Sequence, residues 1–276
     1  ECEAFRGAAR REETTMSSYI FDPHSHYDDK AFDSDRDEIL GGLFAKGIGK
    51  VVDVGADMPS SKMALELAKQ YEFVYAALGV HPSEVEGLTE DDMAWISSHA
   101  AHEKVAAIGE IGLDYHWPEP KPALQKQWFR RQIELAKEVK LPIIVHSRDA
   151  AEPTMQIIQE TKAYECGGVI HCYSYSPEMA EEYVKMGFFI GMGGVLTFKN
   201  AKKLVRCAER IPLSSIVLET DCPYMAPEPN RGKRNDSSQL IYVAQKLAEI
   251  KGITAEEVKQ VTTENAHRLY RLTQNK

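Results

Sequence analysis

From residue 19 onward the chain alternates short runs rich in β-branched and aromatic residues with longer amphipathic runs, and it does so eight times. The strand-like runs are Tyr19–His26, Lys50–Ala56, Val74–His81, Val105–Leu113, Pro142–Ser147, Gly168–Cys172, Phe188–Gly193 and Ile216–Asp221. Helical periodicity covers Asp37–Lys46, Ser60–Tyr71, Pro122–Lys140, Ala150–Thr161, Pro177–Met186 and Ala201–Arg210, then a tail pair at Ser237–Lys251 and Thr254–Leu272. Strands separated by helices pair in parallel through right-handed crossovers. Eight such units close into a barrel, and an open doubly wound sheet is the competing layout. No Gly-x-Gly-x-x-Gly follows the first strand, which weakens a dinucleotide fold. Gly191, Gly193 and Gly194 lead into no P-loop lysine and read as close backbone approach at a barrel mouth. The expected fold is therefore α/β, a TIM-type (β/α)8 barrel in a single domain.

Local signals agree with these elements. Thr89 and Asp92 form a loose capping box. Pro177 suits a first helical position behind Ser176. Glu256 and Glu257 suit the first turn after Thr254. The 276 residues match the size of such barrels, about 250. Residues 1–15 are polar and aperiodic and read as an expression leader, which leaves 16–276 for the barrel. No apolar run is long enough to span a bilayer, so no membrane association is expected. Five cysteines without a Cys-x-x-Cys pair fit a reducing, cytoplasmic setting. A net charge of −9 argues against wrapping of DNA by a broad basic surface.

Metal-capable residues gather where the strands end. Strand one ends in His24-Ser25-His26, strand four carries Glu110, strand five ends at His146, strand six at His171 and strand eight at Asp221. The C-terminal ends of the strands form the catalytic face of a β/α barrel. Histidines two apart in a strand project from one face, and paired imidazoles suit Zn²⁺, Mn²⁺ or a similar cation. Glu110 interrupts the apolar run Val105–Ile111, where an unpaired carboxylate is costly to bury. Six candidate ligands exceed one tetrahedral ion, so two divalent ions bridged by Glu110 are expected. The chemistry implied is attack by an activated water, with Asp221 orienting or deprotonating it.

These stretches resemble the TatD family of metal-dependent deoxyribonucleases, within the amidohydrolase-type barrels. The likeness runs from Tyr19 to Leu272. It is carried by Phe21-Asp22-Pro23-His24-Ser25-His26, Gly79-Val80-His81-Pro82, Gly109-Glu110-Ile111-Gly112-Leu113-Asp114-Tyr115, Pro142 through Arg148, His171-Cys172-Tyr173-Ser174, Glu219 through Tyr224, and Arg231-Gly232-Lys233-Arg234-Asn235. The resemblance implies a hydrolase that trims single-stranded DNA from the 3′ end. It also implies one metal (Mg, Mn or Zn) on His24, His26, Glu110 and Asp221, and a second on Glu110, His146 and His171. His81 is then an active-site histidine contacting the scissile phosphate. Two departures stand out: Pro23 replaces the family's usual small hydroxyl residue, and Asp236-Ser237 follows Asn235 where an acid and a proline are usual.

Arg148, Arg231, Lys233 and Arg234 are candidate phosphate contacts. Tyr115, Trp117 and Tyr224 are candidate stacking platforms for bases. Trp95, Trp128 and Phe129 fall within helical patterns and are assigned to packing. Two other functions compete: an amidase- or esterase-like metallohydrolase of small molecules, which uses the same metal chemistry, and a metal-dependent binding protein without turnover. The positioned acid Asp221 disfavours the last, and the basic run Arg231–Arg234 favours phosphate substrates.

Overall fold

The computed structural model describes residues 19–272; the leader expected at 1–15 lies outside the described residues. Eight strands, β1 (Ile20–Ser25), β2 (Ile48–Val54), β3 (Val74–Leu78), β4 (Val105–Asp114), β5 (Ile143–Arg148), β6 (Gly168–Ile170), β7 (Phe188–Met192) and β8 (Ile216–Leu218), hydrogen-bond in chain order, each parallel to the next. The ring is drawn together where β8 runs out beside β1. Ser25 bridges Cys222, the His26 N–H donates to the Cys222 carbonyl, and the Asp221 N–H donates to the His24 carbonyl at 2.9 Å. The chain is thus a single (β/α)8 barrel.

The helices are α1 (Arg36–Gly42), α2 (Met58–Gln70), α3 (Glu90–His99), α4 (Pro122–Val139), α5 (Ala151–Glu160), α6 (Pro177–Lys185), α7 (Lys202–Arg210), α8 (Leu240–Lys251) and α9 (Ala255–Leu269). All of them lie in stretches with helical signals in the sequence; for α3 these were Trp95 and the cap, where Thr89 and Asp92 close a reciprocal box. The run expected to end at Lys46 divides into α1 and a short 3-10 turn, Phe44–Lys46, that ends on Gly47 in the left-handed region. Ser176 caps α6 ahead of Pro177, and Thr254 caps α9.

Inside the barrel, Phe21, Val52, Val54, Ala77, Ala107, Ile144, Val169 and Val217 form a layer of buried apolar side chains. From α9, Ala266 and Leu269, with Tyr270 just after it, join that layer and plug the end where the strands begin. The Tyr270 hydroxyl donates to the Pro23 carbonyl at 2.6 Å. A larger apolar layer lies between the strands and the surrounding helices. With one end plugged, polar side chains on the inner face emerge at the other. The late glycines act there as the sequence implied: a Cβ at Gly191 would fall against the Glu219 carboxylate, and one at Gly194 against the Met225 carbonyl. Among the described residues no helix is long and apolar enough to cross a membrane.

Candidate metal centre

Glu110 stands in the middle of the mouth, nearly buried on β4. One of its oxygens, Oε1, lies 2.8 Å from His146 Nδ1 and 2.9 Å from His171 Nε2. The other, Oε2, lies 3.6 Å from His24 Nε2 and 3.9 Å from His26 Nε2. Asp221 Oδ1 completes the second group, 3.5 Å from His24 Nε2 and 3.2 Å from His26 Nε2. The two imidazole nitrogens are themselves 3.1 Å apart. Ligand atoms of a tetrahedral ion with bonds of about 2.0–2.1 Å stand roughly 3.3 Å from one another. The His24–His26–Asp221 triangle has edges of that size, and the donors are of the N and O types that divalent cations take. His24 and His171 stack with ring centres 3.9 Å apart, so strands one and six meet directly across the barrel axis.

Surrounding groups aim these donors. His26 Nδ1 donates to the Val54 carbonyl at 2.7 Å, which turns Nε2 into the mouth. Glu219 Oε1 lies 3.5 Å from His171 Nδ1 and accepts from the Cys172 N–H. Asp114 Oδ2 lies 3.0 Å from His146 Nε2. Two buried glutamines on α4 hold the strand ends by their backbone. Gln125 bonds both the N–H and the carbonyl of Asp114 at 2.8 Å. Gln132 accepts from the Val80 N–H at 2.8 Å and donates to its carbonyl at 3.0 Å, beside His81.

The charge distribution follows from this packing. Burial pushes Glu110 up, but the imidazoles of His171, His146 and His24 reverse this and hold its carboxyl well below the ordinary value. Asp221 is lowered too, by His26, His171 and His24 against burial. Burial opposes charge on His26, yet Asp221, Asp28 and Glu110 hold its pKa at about 10. His171 is likewise raised, by Glu110 and Glu219 against burial. His24 goes the other way, lowered by burial and by His171. His81 falls to about 3, through burial and the neighbouring His146. Its Nδ1 accepts from the Ser83 N–H at 3.1 Å, which leaves Nε2 as the protonated nitrogen, 4.0 Å from Glu110 Oε1.

The mouth has two lobes that share His146, His171, Asp221, Arg148 and Tyr224. One, of about 570 Å³, is polar and bounded by Asp28, Asp29, Ser83 and Trp117. The other, of about 520 Å³, is bounded by Tyr173, Val195, Leu204 and Met225. The substrate-contact candidates are distributed unevenly around them. Arg148 borders both lobes. Trp117 and Tyr224 stand at the rim with 58% and 54% of their surface exposed. Tyr115 instead packs against the core. Arg234 is taken up by a two-pronged pair with Asp35 and by the Ala31 carbonyl. Lys233 donates to Asn230, and Arg231 lies over the Phe198 ring. Sequence reasoning did not single out Asp114 or Glu219. The signal was present: Asp114 repeats the strand phase of Glu110, and Glu219 that of Asp221.

The sequence matches the profile of TatD related DNases over residues 21–271. The chain belongs to the TatD-related DNase family. A family relative from Bacillus subtilis, described as the uncharacterized metal-dependent hydrolase YabD, is 47% identical over 92% of this chain and 99% of its own length. The hydrolase YcfH of Escherichia coli K12, described in the same terms, is 35% identical over 92% of this chain and 96% of its own. Among solved TatD structures, that of the homologue YjjV from Escherichia coli K12 superposes with a TM-score of 0.87 at 30% identity, covering 94% of this chain and all of that one. The protein is thus a metal-dependent hydrolase of the TatD family, and its clustered His, Asp and Glu side chains suit a divalent cation.

Proposed function

We propose that the protein is a divalent-metal-dependent deoxyribonuclease that removes nucleotides from the 3′ end of single-stranded DNA, with water as the nucleophile. The observation that carries this reading is the division of Glu110, one oxygen facing His24 and His26, the other facing His146 and His171. In this reading His24, His26, Asp221 and Glu110 hold one cation, and Glu110, His146 and His171 a second. Such ions, Mg²⁺, Mn²⁺ or Zn²⁺, supply Lewis acidity that lowers the pKa of water and polarises a phosphoryl oxygen. Asp221, held ionised, takes the proton of the attacking water. His81 stays neutral and presents its Nε2–H to a phosphate oxygen as a hydrogen-bond donor. Arg148 meets the phosphate charge from the shared wall of the two lobes, and Trp117 and Tyr224 stack the terminal bases. The described cysteines, Cys166, Cys172, Cys207 and Cys222, are all free thiols, in keeping with a reducing cytoplasm.

The test is release of mononucleotides from a 5′-labelled oligonucleotide in Mg²⁺ or Mn²⁺, repeated with EDTA, beside a panel of amides and esters. Stepwise shortening from the 3′ end that EDTA stops supports the proposal. Turnover of amides or esters without cleavage of DNA overturns it.

A further inference from the structure

The chain carries a net charge of −9, yet the stretch from Thr197 to Arg206 holds Lys199, Lys202, Lys203 and Arg206 and no acid. Thr197, Phe198, Lys199, Lys202 and Arg206, with Lys246 of α8, line an open groove of about 660 Å³. Lys246 pairs with Glu249 at 3.0 Å, while Lys199, Lys202 and Arg206 are exposed and enter no ion pair among the described residues. Arg231 reaches the groove from the loop after β8, its guanidinium 4.2 Å from the centre of the Phe198 ring. A guanidinium stacked on a ring keeps its N–H edge free for phosphate. The same loop is fastened to the groove's edge, where the Glu228 N–H donates to Thr197 Oγ1 at 2.8 Å.

The groove begins where the mouth ends. Val195 and Leu204 line the apolar lobe, and Thr197 and Val205, from the same two turns, line the groove. We propose that this groove, between α7 and α8, is a track for the phosphodiester backbone of single-stranded DNA lying 5′ of the scissile bond. The inference rests on the deoxyribonuclease reading and deepens it. Unpaired cations in a row beside an aromatic ring form the kind of surface that follows a single strand's phosphates. In an acidic molecule a local positive groove also gives an approaching strand its direction. A strand whose 3′ end sits beside nearly buried Glu110 has to leave the mouth over a wall, and the wall formed by the β7–α7 segment carries a row of free positive charge that continues outward from Arg148 at the mouth.

The test compares Lys199→Gln/Lys202→Gln/Arg206→Gln with the wild type, reading fluorescence anisotropy of a twelve-nucleotide and a three-nucleotide oligothymidylate in EDTA across a salt series. The control is Lys46→Gln/Lys69→Gln/Lys185→Gln. Those lysines precede β2, β3 and β7 in the turns at the opposite end of the barrel. The groove variant is expected to bind the longer strand about tenfold more weakly. Its log–log salt slope should fall by about 2, because each phosphate neutralised on a single strand contributes about 0.7. Its preference for the longer strand over the shorter one should shrink, while the control keeps wild-type binding. Wild-type affinity and slope in the groove variant overturn the track, as does an equal loss in the control. So does a variant that loses only its affinity for anionic phospholipid vesicles. Cleavage of the labelled strand by the wild type is scored separately: its absence strikes the nuclease reading, whereas unchanged binding strikes the groove.

Discussion

Glu110 is the residue on which the mouth depends, because four imidazoles converge on one carboxylate. Replacing it with alanine removes the one carboxylate those rings share and leaves Asp221, Asp114 and Glu219 at the margins of the cluster. We expect Glu110→Ala and His171→Ala each to lose metal-dependent hydrolysis by roughly 10³-fold or more while far-UV dichroism stays native, because each removes a proposed ligand. Wild-type turnover in either variant would remove that residue from the site. Asp114 and Glu219 act one step further out, on His146 and His171. Glu219→Gln is expected to weaken Mn²⁺ binding by about 10–100-fold, the usual loss when a ligand's supporting partner is changed. Protonation supplies a further check. With folded pKa values raised above the ordinary 6.5, His26 (about 10) and His171 keep their protons at neutral pH, and a cation competes with those protons. Mn²⁺ affinity should therefore rise as pH increases from 6 to 9 in about that range, and titration in buffers of different ionisation enthalpy should show protons released. A pH-independent affinity with no proton release contradicts this.

At the scale of elements, α4 does more than cover the barrel. Its two buried glutamines, two turns apart, clasp the backbone at Asp114 and at Val80, so one helix sets the height of two strand ends. In Gln132→Met the volume is kept and the clasp is lost, which leaves the Val80 N–H and carbonyl unpaired. We expect a loss of about 1–3 kcal/mol in urea unfolding. Activity should fall further than fold stability explains, because His81 follows Val80 directly. The sequence could not disclose these clasps: a glutamine in an amphipathic helix reads as a surface residue, and only tertiary packing shows it turned inward. The strands and most helices were legible, since their periodicity encodes which face is buried. The clustering of the candidate ligands was legible for a related reason. A charged group in or at the end of an apolar strand is costly to bury unpartnered, and several such groups at one end of a barrel outweigh the salt bridge or turn cap that would explain each alone, whereas Asp114 and Glu219 were each masked by a more conspicuous acid in the same strand phase. The basic loop does not act as one patch. Arg231, Lys233 and Arg234 are neighbours in sequence, yet their side chains go to Phe198, Asn230 and Asp35.

At the scale of the whole molecule, the meeting of β8 with β1 holds the ligands in one ring. Buried Asp22 ties the seam: it accepts from the Thr220 N–H and hydroxyl and from Ser237 Oγ, and the Tyr27 hydroxyl joins Ser237 at 2.8 Å. Asn235 adds a side-chain amide donated to the Thr220 carbonyl, so the departure at Asp236-Ser237 still leaves the loop joined to the seam. Burial pushes the Asp22 carboxyl up to about 7, against hydrogen bonds from Ser237 and Thr220. With a folded pKa above the ordinary 3.8, folding favours the protonated acid, and this group costs stability progressively as pH rises from about 4 to about 7. Asp22→Asn has no such titration. The stability difference between wild type and variant, from urea unfolding at fixed metal content, should therefore move against the wild type by a few kcal/mol across that window. A constant difference would mean the carboxyl titrates alike in folded and unfolded chains.

The seam also sets a time of birth. His24 leaves the ribosome early and Asp221 late, and at about 5–20 residues per second the interval between them lasts roughly ten seconds or more. During that interval a nascent chain offers two histidines without the carboxylate that completes their triangle. Completion of that triangle thereby marks finished synthesis: arrested chains ending before residue 216 should retain less Mn²⁺ after gel filtration than released chains do.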